Sequence, residues 1–484
     1  MQTLIKNGTI INEGSVARGS VLIKDARICK IVKEKDFRRY EDYLLCLDKL
    51  SACSKVIDAT GMMVMPGVID THVHFREPGN TIAGTIESES KAALLGGVTS
   101  YMDMPNNSPS CTTLELLKQK FERAAETSYA NYSFYLGASN SNLGEIEKAE
   151  PKRVCGVKVF MGASTGNLLV DSEKALQEIF RSSKLLIAAH CEDNDEIAAN
   201  FKLYAANYRD NIPVAAHPLI RSAKACYKSS CKAIEMAVKY GARFHLLHVS
   251  TAKEAELLAT LYTAKAPFGS NSEDYKITAE TAPHYLWFNS TDYEKYGNLI
   301  KCNPAIKSAE DMAALRKALK DGVLQTLATD HAPHPLQAKM KPFKEAPGGI
   351  PLVQYSLVMM LELVEQGVFS LEEVVGKMCH NPALCFRIKD RGFLREGYFA
   401  DITIFKPLGE DSLAEQQPKP ASLCGWSPFT ERGVYYNSDS GEKHSLTGFS
   451  NRVEYVFVNG TMVVDAASLT GERRALELEF NASE

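Results

Sequence analysis

Val64-Met65-Pro66-Gly67-Val68-Ile69-Asp70-Thr71-His72-Val73-His74 is an apolar run that ends in two histidines, and its texture returns along the chain. Seven further runs follow, near Val98 to Met104, Tyr132 to Leu136, Gly156 to Met161, Leu185 to His190, Arg243 to His248, Ile277 to Thr281 and Leu324 to Asp330. Strands this apolar leave neither face for water, as in a parallel sheet covered on both sides. Stretches of helical periodicity, such as Thr112 to Thr127 and Ala252 to Lys265, lie between them. Eight alternating units predict an α/β fold with a TIM-like (β/α)8 barrel over residues 65–392. In such a barrel, chemistry sits at the C-terminal ends of the strands.

The two ends of the chain read differently. Thr3 to Ile11 and Ser20 to Lys24 alternate like antiparallel strands, and so do Ala400 to Phe405 and Val453 to Val464, the latter broken by the hairpin signal Asn459-Gly460. Either end alone has little surface to bury, so we expect them to join in one small split β-sandwich domain, residues 1–64 with 393–470, followed by a tail at 471–484. Lys33 to Lys55, Pro267 to Asp274 and Tyr435 to His444 read as insertions without an assigned role.

Composition narrows the partner class. Lys and Arg number 55 against 59 Asp and Glu, a net charge of −4 without a long basic run, so the electrostatic footprint of a nucleic-acid binder is missing and a small-molecule substrate is expected. No stretch of about 20 apolar residues could span a bilayer, and Met1 to Lys6 lacks a basic leader with an apolar block, so a cytoplasmic protein is expected. The 12 cysteines are scattered singly from Cys29 to Cys424 with no Cys-x-x-Cys pair, as expected of reduced, buried small residues. A homodimer is expected on base rates alone.

His72 and His74 stand two apart, so on a strand both imidazoles point to one side. The pair alone reads equally as two core histidines or two metal ligands. His190 closes the fifth run, His248 the sixth and Asp330 the eighth, which sets four histidines and one aspartate at the rim where catalysis is expected. Imidazole and carboxylate are the donors zinc takes in catalytic sites, and this set is large enough for two ions. Two such ions need a bridging anion to offset their repulsion. Lys158, at the end of the fourth run, occupies a rim position that otherwise lacks a ligand. As a carbamate (N6-carboxylysine) it would be that anion; the alternative is a lysine whose stem packs under the rim while its charge reaches water.

Taken in order, the runs Asp70-Thr71-His72-Val73-His74-Phe75-Arg76-Glu77-Pro78-Gly79, Met104-Pro105-Asn106-Asn107, Lys158-Val159-Phe160-Met161, His248-Val249-Ser250-Thr251 and Ala328-Thr329-Asp330-His331-Ala332-Pro333-His334 resemble the signatures of the amidohydrolase superfamily, and within it those of dihydroorotases. The resemblance covers nearly the whole chain. It implies two zinc ions per subunit, one held by His72, His74 and Asp330, the other by His190 and His248, with carbamylated Lys158 between them. It further implies reversible hydrolysis of L-dihydroorotate to N-carbamoyl-L-aspartate, a step of de novo pyrimidine synthesis. A zinc-bridged hydroxide would be the nucleophile, with Asp330 carrying the proton to the departing ring nitrogen.

Substrate choice would rest on the residues that hold the ring. Arg76, two past His74, is placed to pair with the carboxylate that hydantoins and allantoin lack. Asn106 and His334 match family positions that hold the same group, and Asn303 matches a contact with the pyrimidine ring. One motif departs from the pattern: Asn303-Pro304-Ala305-Ile306-Lys307 stands where dihydroorotases commonly have Asn-Pro-Pro-Leu-Arg, and Lys307 loses the guanidinium fork, so it is left out of the site. Glu345 to Pro351 is glycine-rich enough to approach a ligand, and reads equally as a turn. His284 and His331 are expected to be structural or supporting, and His217, His245, His380 and His444 receive no role. The competing readings are an allantoinase or a dihydropyrimidinase (hydantoinase), which would share the metal ligands, and a non-catalytic scaffold, which should lack some of them.

Overall fold

A computed structural model describes residues 2–52, 54–162, 166–261, 276–408, 419–429, 435–436, 443–444 and 449–481. Eight parallel strands follow one another in sequence order: β1 (Val68–Val73), β2 (Val98–Asp103), β3 (Asn131–Gly137), β4 (Gly156–Phe160), β5 (Ile187–His190), β6 (Phe244–Leu246), β7 (Ile277–Thr281) and β8 (Thr326–Leu327). Every residue of β1 to β5 is buried, which is why these segments are apolar without alternation. The barrel is nearly closed. In place of a full ladder between β8 and β1, His74 N–H donates to His331 O at 2.8 Å and Val73 bridges His331. The eighth run yields only a two-residue strand, because the chain leaves the ladder as it turns Asp330 toward the rim with a φ of 50°.

The first apolar run is divided between two sheets. Met63–Pro66 pairs with Ile402–Phe405, and Val68–Val73 enters the barrel. Gly67 makes the transfer: a Cβ there would sit 2.1 Å from Thr99 Oγ1, so only glycine allows the approach. Met63–Pro66 belongs to a nine-stranded sheet built from both ends of the chain, with Gln2–Asn12, Ser15–Lys24 and Arg27–Lys33 at one edge and Asn451–Val458, Thr461–Asp465 and Ser468–Leu469 at the other. Ile5, Val21, Ile23, Ile402, Ile404 and Phe457 fill its core. Asn459 and Gly460 both take positive φ, 48° and 78°, as a tight hairpin between right-twisted strands requires.

Around the barrel, the predicted helix over Thr112 to Thr127 forms as Leu114–Thr127, capped by Thr113 accepting from Leu116 N–H, and buries Leu117, Phe121 and Ala124. Ala252 begins a shorter helix than expected, ending at Ala259. The 33–55 insertion contains the helix Tyr40–Ser51, which lays Tyr43 and Leu47 on Val32. The insertion at 267–274 lies outside the described residues; of that at 435–444, Tyr435–Tyr436 pairs with Lys443–His444 and the rest lies outside them. Residues 476–480 run back along the barrel: Leu478 is fully buried, its N–H donates to Tyr132 O at 2.9 Å, and Arg153 pairs with Glu477 at 2.5 Å.

Candidate metal centre

Alternation along β1 carries His72 and His74 to the same side, and their Nε2 atoms converge on Asp330 Oδ1 at 3.2 and 3.0 Å. These three side chains form a group whose donor atoms lie within 4.8 Å of one another. Each ring is oriented from behind. His72 Nδ1 lies 2.6 Å from Glu280 and His74 Nδ1 lies 2.7 Å from Asn106 Oδ1, so both Nδ1 atoms carry the proton and both Nε2 lone pairs face the rim. Burial holds His74 neutral, with its pKa lowered to about 4 despite the neighbouring Asp330. Burial favours the acid form of Asp330, yet the imidazoles of His72, His74 and His248 hold it well below the usual carboxylate range.

The second pair stands beside the first. His190 Nδ1 lies 2.9 Å from His248 Nε2, and the rings of His72 and His248 are 5.3 Å apart. His190 is backed through Nε2 by Glu192 at 2.8 Å, and Glu192 is in turn paired with Arg221. His248 Nδ1 has no partner among the described residues. Lys158 ends in the same interior, 1% exposed, with Nζ 4.4 Å over the Phe160 ring and no carboxylate within ion-pair distance among the described residues. Burial lowers its pKa to about 8, partly offset by Asp330 and Glu280. A lysine that loses its proton this readily is a better nucleophile toward carbon dioxide than one in water.

The donor set suits a cation. Two lone-pair nitrogens 2.9 Å apart, as in His190 and His248, require a proton or a cation between them, and buried, neutral imidazoles with a carboxylate are the chemistry that binds divalent metal. Three residues of this rim take positive φ, Arg76 (71°), His248 (37°) and Asp330 (50°), conformations that side-chain-bearing residues rarely adopt and that cluster where function demands them.

Arg76, two residues past His74, is half-buried. Its Nε donates to Pro333 O at 3.1 Å and its guanidinium lies 3.1 Å from His334 Nε2. Burial lowers its pKa to about 10, which leaves it a cation at neutral pH. Among the described residues, no carboxylate pairs with it. His334 Nε2 also lies 3.1 Å from Gly348 O, and burial together with Arg76 lowers this ring to about 2, so it is neutral and serves one of the two partners at a time. Asn303 precedes a cis proline, its Oδ1 is buried without a partner among the described residues, and the backbone of Gly348 passes so close that a Cβ there would lie 2.8 Å from its Nδ2. Asn106 spends its Oδ1 on His74, which leaves its NH2 for other contacts.

Sequence reasoning missed the groups behind the ligands. Glu280 touches His72, His245 (3.3 Å) and Thr71 (3.3 Å), and His72 and His245 hold it below its ordinary value against the effect of burial. His245, given no role, is thus part of the support. Asp70 accepts from Thr329 Oγ1 at 2.6 Å and ties β1 to the turn that carries Asp330. His331 bonds Glu89 at 2.8 Å and accepts from Leu352 N–H, in the supporting place expected of it. A signal for Glu280 did exist: a lone carboxylate inside an apolar strand has to have a partner. Nothing in the sequence says which.

Residues 63–463 match the amidohydrolase family. The chain is 31% identical over 441 residues to a dihydroorotase of Lactobacillus helveticus (strain DPC 4571), covering 90% of this chain and 96% of that protein. It is also 31% identical over 436 residues to a dihydroorotase of Methanosarcina mazei, covering 88% of this chain and 89% of that one. Among solved structures, the L-hydantoinase (dihydropyrimidinase) of Arthrobacter aurescens superposes with a TM-score of 0.83 at 27% identity over 99% of both chains. The dihydropyrimidinase of Brevibacillus agri NCHU1002 shares the fold at a TM-score of 0.81 and 23% identity over both full chains.

Proposed function

The chain belongs to the amidohydrolase family, and from that premise we propose that this cyclic amide hydrolase is a dihydroorotase, interconverting L-dihydroorotate and N-carbamoyl-L-aspartate. The observation that carries the substrate is Arg76: a half-buried guanidinium at the mouth of the metal centre, bonded to a carbonyl and an imidazole and to no acid among the described residues. A cation so placed favours a ring that brings a carboxylate, and the planar fork suits one bidentately.

Zinc, two ions per subunit, would be held by His72, His74, Asp330, His190, His248 and a carboxylated Lys158, and when bound would supply an activated water and polarise the ring carbonyl. Asp330 does the proton work. Held ionised by the surrounding imidazoles, its carboxylate takes the proton of the attacking water and delivers it to the ring nitrogen as the amide bond breaks; ring closure runs these transfers backwards. Glu280 and Asn106 fix the tautomers of His72 and His74, which aims both Nε2 lone pairs at the place where metal would bind. Arg76 and His334 hold the carboxylate, with Asn303 on the ring beside them.

A second reading, hydantoinase or dihydropyrimidinase, draws support from the Arthrobacter aurescens structure. The test is hydrolysis of L-dihydroorotate, hydantoin, dihydrouracil and allantoin in parallel by wild type and Arg76→Ala. Turnover of dihydroorotate that Arg76→Ala loses is the expected result. Opening of rings without a carboxylate while dihydroorotate is ignored would overturn the substrate and favour the second reading.

A further inference from the structure

Lys339 ends the short helix Leu336–Lys339, five residues beyond His334. It is 1% exposed, and its ammonium donates to three carbonyls, those of Lys301 at 2.9 Å, Pro347 at 2.9 Å and Gly349 at 2.8 Å. Three donors meet three acceptors, yet no carboxylate among the described residues compensates the charge. Burying an ammonium without an anion is unfavourable, and an apolar side chain of the same length would fill the space without that cost.

The three carbonyls belong to two loops. Lys301 lies in the segment after β7 that leads to Asn303; Pro347 and Gly349 lie in the segment after β8 that follows His334. They flank Gly348, whose backbone runs between Asn303 and His334, and Gly349 N–H donates back to Lys301 O at 2.9 Å. Lys301 closes the same loop from the other side, its ammonium 2.6 Å from both Phe343 O and Ala346 O. We propose that Lys339 is a positioning residue for the substrate-anion pocket, pinning these two loops together so that Asn303 and His334 keep a fixed spacing beside Arg76. The inference rests on the reading that the substrate is an anionic ring, and it adds to that pocket a residue that need not touch the substrate.

The test compares the metal-loaded full chain with Lys339→Met, which keeps the length and removes the donors, and Lys339→Gln, which keeps a donor. Removing preorganisation should raise KM for dihydroorotate by about 10-fold or more in Lys339→Met with kcat within about 3-fold, with partial rescue in Lys339→Gln. Amide hydrogen exchange at Ala332 and Gly349 should quicken while β1 to β4 keep their protection. An unchanged KM, a fall in kcat alone, or faster exchange throughout the barrel would overturn the proposal, as would failure of both variants to fold, which would make Lys339 a residue of the fold. If wild type ignores dihydroorotate, the substrate reading fails separately, and Lys339 is judged on the exchange result and on KM for the ring that is opened.

Discussion

The histidine-bearing rim of the barrel and the loop cluster that carries Arg76, His334 and Lys339 hold their polar groups by different means. At the rim, imidazoles are backed by side chains: His72 by Glu280, His190 by Glu192, His74 by Asn106. In the loops, the charged and polar groups lean on backbone: Arg76 on Pro333 O, His334 on Gly348 O, Lys339 on three carbonyls. A carboxylate behind an imidazole sets its tautomer and its basicity, which is what a metal ligand needs. A carbonyl behind a cation sets its position and leaves its charge uncompensated, which is what an anionic ligand needs. On the proposed function, the first region would do the chemistry and the second would choose the ring.

If that division is right, changes at the rim should abolish turnover of every substrate. Asp330→Asn removes a proton carrier and a ligand together, and kcat should fall by about 10³-fold or more on all rings; a loss of only a few fold in steady-state assays would break the assignment. Glu280→Gln, one shell back, should weaken metal affinity or activity by about 10- to 100-fold regardless of substrate, read by metal titration and turnover. Arg76→Ala should act on choice instead: a charge-assisted contact of about 1.5–3 kcal/mol predicts roughly a 10- to 150-fold loss in kcat/KM for a carboxylate-bearing ring, with rings lacking the carboxylate changed little. An equal loss on both kinds of ring would erase the distinction between the regions.

Two smaller effects on stability sharpen it. His284 is 1% exposed, and burial lowers its pKa to about 4 from an unfolded value near 6.5. Between those limits the unfolded chain binds a proton that the folded chain refuses, so stability should fall as pH drops through 6.5 toward 4, by up to about 1.4 kcal/mol per pH unit. Urea midpoints of metal-free wild type and His284→Gln across that range check it, with the shallower slope expected in the variant. Thr113→Ala, at the cap of the helix Leu114–Thr127, should cost about 1 kcal/mol of stability and leave kcat/KM unchanged; a shift in substrate preference would show that the scaffold itself takes part in selection.

The legible part of the site was what strand periodicity exposes. His72 and His74 are two apart, and His190, His248 and Asp330 each end or follow an apolar run, so their convergence follows from the barrel once the eight runs are recognised. Glu280, Glu192 and Asp70 are not legible in this way, because a carboxylate's role depends on which neighbour faces it across 200 residues or across two; Glu280 is 208 positions from His72, and Glu192 is two from His190. Lys339 was invisible for a related reason. Its partners are carbonyls, which every residue owns, so no residue type marks them.

By itself the sequence determined the (β/α)8 barrel, the joining of both ends in one sheet, and the meeting of His72, His74 and Asp330 at one rim, because burial patterns and side-chain chemistry are local properties that periodicity records. Tertiary structure alone decided which carboxylate backs which imidazole, that Gly67 passes the chain between two sheets, and that Arg76 bonds a carbonyl and an imidazole and, among the described residues, pairs with no carboxylate. Those are matters of which groups face one another in space, and their energies come from distance, burial and the direction of a lone pair, none of which is written at a single position.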